Sequence, residues 1–227
     1  MVDIAKLKQE QLKFAKKVIL KDEFSGISLI GGCDQAFVGN KVISQVVVLD
    51  AKTLEIVEKA TATVDSHIPH IPTFSFFREG PAIIEAYNKL STKPDVFLID
   101  SNGILHPRRI GLASHVGVIL DIPTIGVAKV ISYGIVHGED ILDDKEIVGK
   151  KVITREFANP LYVSPGHKIT LKTSVEIVRQ CIKQPHKLPE PLHIAHRMVS
   201  KQARKANASE PKAIQAPLDI SPEDNQE

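Results

Sequence analysis

Cysteine is scarce in this chain: Cys33 and Cys181 are the only two in 227 residues. Two thiols cannot build a disulfide framework, which excludes a disulfide-rich secreted scaffold and points to a reducing compartment. No apolar run approaches the roughly 20 residues that a membrane-spanning helix needs. The segment from Met1 to Gln11 intersperses lysines with acids, unlike a secretory signal. The expectation is a soluble, cytoplasmic protein with no membrane partner. Net charge is also low, +2, but it is unevenly spread. Residues 207–227 hold five acids against Lys212, a balance of −4, which leaves +6 on residues 1–206. Such a mildly basic body admits a polyanionic partner without requiring one.

What is present is enough apolar material, 43% of the chain, to bury one core. The expected organisation is a single domain over 1–206, monomeric by default. A disordered acidic tail rich in Pro, Ala, Ser and Gln is expected over 207–227. Ile4, Leu7, Leu12, Ala15, Val18 and Ile19 recur near helical spacing, predicting an amphipathic helix over 4–19. Strands are predicted at 27–34, 42–49 and 54–64, with turns at Gly39-Asn40 and Asp50–Thr53, giving an antiparallel meander. A helix within 74–91, a strand at 95–100, a helix at 111–119 and a strand at 123–128 follow. Beyond 130 the pattern weakens to a strand near 160–163 and helices at 171–182 and from 191 to about 205. The order implies an α/β fold: a mixed β-sheet, three antiparallel strands and then parallel ones, flanked by helices on both faces.

Two apolar strands run straight into aspartates, Asp34 after Ile27–Cys33 and Asp100 after Val96–Ile99. An aspartate in such a place commonly caps the next turn. Two at comparable strand ends, however, can hold a hard divalent cation over a sheet edge, because ionised carboxylates offer only oxygen ligands. Glu79 lies between them in sequence. If its segment is helical, Phe76 and Ile83 share its face, turning the carboxylate toward the sheet, where it is costly unless paired or metal-bound.

The stretch from Asp100 to Gly117 packs an acid, two histidines, two arginines and three glycines around one strand-to-helix connection. Glycines allow close backbone approach, and amides at a helix start favour phosphate. His115 is expected on a core or helix face, whereas His106, beside Pro107 in a polar loop, is expected to be exposed and functional. Lys129 ends the apolar strand Thr124–Ala128 and is placed to support an attacking water or hold a phosphate. Pro69-His70-Ile71-Pro72 is a stiff loop tip that presents a ring, the kind of element that wedges into a base stack.

Taken in order, Gly32-Cys33-Asp34, Pro69–Pro72, Phe77-Arg78-Glu79, Asp100–Gly117, Pro123–Lys129, Leu161–His167 and Leu188–Pro191 resemble the endonuclease V family, metal-dependent nucleases acting at deaminated bases. The resemblance spans about residues 27 to 200. It implies a ribonuclease H-like fold and a DNA repair endonuclease. Such an enzyme hydrolyses the second phosphodiester 3′ to deoxyinosine and leaves 3′-hydroxyl and 5′-phosphate ends, with Mg²⁺ or Mn²⁺. By the same resemblance Asp34, Asp100 and Glu79 hold metal, His106 and Lys129 assist catalysis, and His70, Ser101 and Arg108 meet the DNA. The implied partner is DNA with deaminated bases, with inosine-containing RNA as a further substrate. Four positions depart from the family's usual residues. His70 stands for Tyr, Ser75 for an apolar pocket residue, Ser101 for Gly, and His196 for an Asp at a fourth metal-site position. Imidazole there suits Mn²⁺ better than Mg²⁺. The competing expectations are a structure-specific nuclease of the same fold and a non-catalytic binder of inosine-containing nucleic acid.

Overall fold

The computed structural model describes residues 2–209. Helix α1 (Ile4–Ala15) opens at Asp3, whose carboxylate accepts the Lys6 amide at 3.0 Å, satisfying one donor of the first turn. It stops four residues short of the expected Ile19, because the Ile19 amide donates instead to His167 Nδ1 at 3.2 Å. Strands β1 (Leu29–Val38), β2 (Lys41–Asp50) and β3 (Ile56–Asp65) form the antiparallel meander. Gly39 takes φ +54° in the first hairpin, the left-handed backbone such tight turns need.

After helix α2 (Ser75–Asn88), β4 (Val96–Ile99) runs parallel to β1. After helix α3 (Leu112–Leu120), β5 (Thr124–Ala128) runs parallel to β4. Three short strands follow, β6 (Ile135–His137), β7 (Asp140–Asp143) and β8 (Glu146–Val152), and then β9 (Leu161–His167). Among the described residues these strands form one nine-stranded sheet, in the order β3-β2-β1-β4-β5-β9-β8-β7-β6, and it turns antiparallel again beyond β5. Strands β6 and β7 escape the sequence pattern because they are three and four residues long, and β8, at seven, because Gly149 and two lysines interrupt its apolar run. Gly138 (φ +63°) and Asp144 (φ +53°) turn the chain before any alternation accumulates.

Helices α4 (Leu171–Gln180) and α5 (Glu190–Ser209) are the last elements of the described residues. Helix α5 runs three residues past 206, the expected end of the domain. The rest of the expected tail, 210–227, lies outside the described residues. No helix among the described residues is long and apolar enough to cross a membrane.

The two faces of the sheet bury separate cores, and this decides where the strand ends point. Ile30, Val96, Leu98, Ile125 and Val127 pack with Ile177 of α4 and Leu192 of α5. Cys33, Phe97 and Ile99 pack on the other side with Ile83 of α2 and Val116 of α3. Side chains alternate along a strand, and the register pairs Ile30 with Val96 and Gly32 with Leu98. Asp34 and Asp100 are therefore the next neighbours on the α5 face. Phe97, Leu98 and Ile99 are fully buried, contributing roughly 1.5–3 kcal/mol each, so the strand that carries Asp100 is firmly seated. Gly32 is required on that face, since a Cβ would meet Cβ of Pro191 at 2.5 Å. The missing side chain lets α5 start against β1, where Ala195 packs with Val47 and Leu49, and Val199 with Val38 and Ile43.

Candidate metal centre and adjoining cavities

At the ends of β1 and β4, ligand atoms of Asp34, Asp100 and His196 all lie within 4.8 Å of one another. Asp34 is held on both oxygens: Oδ1 accepts the Gln35 amide at 2.8 Å, and Oδ2 lies 2.6 Å from Nδ1 of His196. His196 is half-exposed on α5 and closes the set from outside the sheet. Asp100 forms an ion pair with Lys129, which extends from the end of β5. Burial raises the Asp100 pKa, Asp34 raises it further, and Lys129 opposes both. The donor set of two carboxylates and an imidazole fits a divalent cation, the imidazole favouring Mn²⁺ over Mg²⁺.

Glu79 reaches the same end of the sheet from α2, the opposite layer. It stands outside the 4.8 Å set, yet it is electrostatically coupled to it. Burial pushes its pKa up to about 7, with Asp34 and Asp100 adding to the rise and Arg78 opposing it.

Two cavities flank these acids. One, of about 260 Å³, is lined by Ser75, Phe76, Ser101, Asn102, Gly111 and Leu112, with His70, Pro72 and Thr73 along its outer lip. An engineered cavity of about 150 Å³ accepts benzene, so this one has room for a two-ring base. The other, of about 590 Å³, shares Lys129 and His196 with the acid cluster and adds Arg155, Lys187, His186 and His193. His186 and His193 stack at 3.6 Å, and His186 Nδ1 lies 2.8 Å from Glu190.

The residues expected to assist have divergent surroundings. His70 is exposed at the cavity lip and Ser101 lines the wall. His106, expected to be exposed, is only 5% exposed. The Arg108 amide donates to its Nδ1 at 3.2 Å, so its Nε2–H donates to the Thr73 carbonyl at 2.9 Å. Its loop folds back under the lip, and burial lowers its pKa to about 4, leaving a neutral ring with both nitrogens engaged. Arg108 likewise faces the protein: Nε donates to Gln11 at 2.6 Å, and one terminal nitrogen donates to the Thr73 carbonyl and hydroxyl at 3.0 and 2.6 Å. His115 is fully buried, as expected of a core position, stacked on Phe76 at 3.5 Å.

Sequence reasoning missed Gln11 and Thr73. Gln11 is a polar residue on an exposed-looking helix, and nothing in its neighbours marks it as buried. Glu190 and His193 were also missed: they precede His196 at helical spacing on α5, and His186 joins them from the loop before it, where prolines obscure the pattern.

The endonuclease V family profile matches residues 12–197. The chain is 43% identical over 196 residues to an endonuclease V from Dictyoglomus turgidum, covering 83% of this chain and 85% of that protein. The solved structure of the Bacillus subtilis endonuclease V superposes with a TM-score of 0.86 at 30% identity, covering 92% of this chain and 96% of that one. The Ciona intestinalis endonuclease V, solved in complex with a 23mer DNA containing an inosine followed by a ribo-adenosine, superposes with a TM-score of 0.81. It is 29% identical, covering 90% of this chain and 99% of that one.

Proposed function

Because the chain belongs to the endonuclease V family and is therefore a nuclease, we propose that it nicks DNA at deoxyinosine by metal-assisted hydrolysis. The bond cut is the second phosphodiester 3′ to the lesion, leaving 3′-hydroxyl and 5′-phosphate ends. The observation that carries this reading is the convergence of Asp34, Asp100 and His196 within 4.8 Å, between a base-sized cavity and a basic groove.

Asp34, Asp100 and His196 would hold the cation, Mg²⁺ or Mn²⁺. When bound, it supplies charge neutralisation at the scissile phosphate and a more acidic water. Lys129, paired to Asp100, presents its ammonium to the phosphate oxygens, a fixed charge where negative charge develops. Glu79, buried beside the two aspartates on the α2 side, is placed to take a proton from the attacking water. His106, neutral and doubly hydrogen-bonded, positions the loop rather than moving protons.

On the substrate side, the 260 Å³ cavity receives the extruded base, with Ser101 and Asn102 on its wall and the His70 ring at its lip. Extrusion is least costly for a base already weakly paired, which favours a deaminated one. Lys129, Arg155 and Lys187 give the neighbouring groove three cations for the phosphates of the same strand.

The test is a nicking assay on matched strands, one with a single inosine and one without, under Mg²⁺ and then Mn²⁺, with an inosine-containing RNA alongside. Cleavage of the inosine DNA in preference to the plain strand is expected. Folded protein that cleaves neither under either metal would overturn the proposal.

A further inference from the structure

Thr73 sits at φ +68°, a left-handed backbone that a β-branched residue ordinarily avoids. Three side chains hold it there. Its carbonyl oxygen accepts from Gln11 Nε2 at 2.8 Å, from His106 Nε2 at 2.9 Å and from Arg108 at 3.0 Å. Its hydroxyl accepts from Arg108 at 2.6 Å. Arg108 is itself fixed by Gln11 Oε1 at 2.6 Å and lies over the Phe74 ring at 4.4 Å. Gln11 is 1% exposed, so both ends of its amide are committed inside the protein. It belongs to α1, outside the 12–197 stretch matched by the family profile.

The residue so braced terminates the Pro69–Thr73 lip, and the cavity wall includes His70, Pro72 and Thr73 together with Gln11 and His106. An over-determined, strained residue at the rim of a binding cavity is a way of fixing one loop conformation in advance. We propose that Gln11 is a positioning residue: with Arg108 it latches the Pro69–Thr73 lip over the cavity and so sets how tightly the extruded base is held. This rests on the cavity's role as the base site. Gln11 touches neither the reacting phosphate nor the acid cluster, so its contribution falls on binding rather than on the chemical step.

Gln11→Leu keeps the side chain's bulk and removes both hydrogen bonds. With saturating Mn²⁺ and the inosine strand varied, its KM is expected to rise about tenfold, the effect of one buried bond to a charged partner. Its kcat is expected to stay within about twofold. Hydrogen exchange gives a readout independent of catalysis. The Phe74 amide, which donates to the Ile71 carbonyl at 3.0 Å, should exchange about tenfold faster, with the amides in the middle of α2 unchanged. Gln11→Glu retains acceptance from Arg108 but loses donation to Thr73, so both readouts should fall between wild type and Gln11→Leu. It carries the same test if the leucine variant does not fold. Wild-type KM together with unchanged exchange at Phe74 would overturn the latch. If the wild-type enzyme does not nick the inosine strand, the proposed function fails, and exchange at Phe74 still decides whether Gln11 fixes the lip.

Discussion

Replacing His115 with leucine gives a stability change whose sign depends on pH, and the structure says why. The ring is fully buried, and among the described residues neither of its nitrogens has a hydrogen-bond partner. Burial lowers its pKa from 6.5 to about 3, with His106 adding a smaller push. When the folded-state pKa is below the unfolded one, the unfolded chain binds the proton more readily. The stability is therefore complete above about pH 6.5 and is lost as pH falls toward the folded value. Going from pH 7.5 to pH 5 should remove about 2 kcal/mol through this one group.

At neutral pH two effects oppose each other in the variant. Leucine removes two unpartnered nitrogens, at about 1–3 kcal/mol each. It also forfeits the stack on Phe76 at 3.5 Å and the contacts with Phe14 and Phe77, three ring pairs worth roughly 1.5–4.5 kcal/mol together, against roughly 2–6 kcal/mol for the two nitrogens. Near pH 7.5 the difference from wild type is thus small, and the pH slope is the clean observable. Urea unfolding at pH 7.5 and at pH 5 measures it. The leucine variant should lose about 2 kcal/mol less than wild type between the two, while His106, at about 4, continues to destabilise both proteins. Parallel pH dependences would show that His115 is not buried neutral, and the reasoning would be wrong.

Metal choice should follow the ligand on α5. His196→Asp replaces an imidazole by a third carboxylate, and is expected to raise the ratio of Mg²⁺-supported to Mn²⁺-supported nicking by about tenfold or more; parallel metal titrations of both enzymes check this. Reversing charge in the basic groove with Arg155→Glu and Lys187→Glu should weaken DNA binding. If each residue meets one phosphate, the magnitude of the log–log salt dependence should fall by about 2, measured by fluorescence anisotropy over a salt series.

The sequence carried the meander and the parallel strands because their signals were long and uninterrupted. Val42–Leu49 is an eight-residue β-rich run, and Val96–Ile99 ends cleanly at Asp100. From these the adjacency of Asp34 and Asp100 followed, since both terminate apolar strands that a mixed sheet brings side by side. Lys129 was legible for the same reason, as the residue after the next parallel strand. Strands β6 and β7 were not legible, because turns at Gly138 and Asp144 bound strands of three and four residues, and β8 was not because its burial does not alternate. Side-chain direction was harder still. His106 looked exposed beside a proline in a polar loop, and only the tertiary path of that loop beneath Thr73 buries it. Glu79 was expected among the metal ligands; its helix lies on the other face of the sheet, which places it near the acids but outside their closest set. Its position in sequence carried no information about which face α2 would cover.

Calorimetric titration of Mn²⁺ into the wild-type protein and into the Asp34→Asn/Asp100→Asn double variant tests the metal centre most directly. Wild type should bind the ion, and the double variant, with an unchanged urea midpoint, should bind it weaker by about a hundredfold or more, removal of ligands exceeding the effect of losing their supporting partners. A folded double variant with wild-type Mn²⁺ affinity would contradict the account.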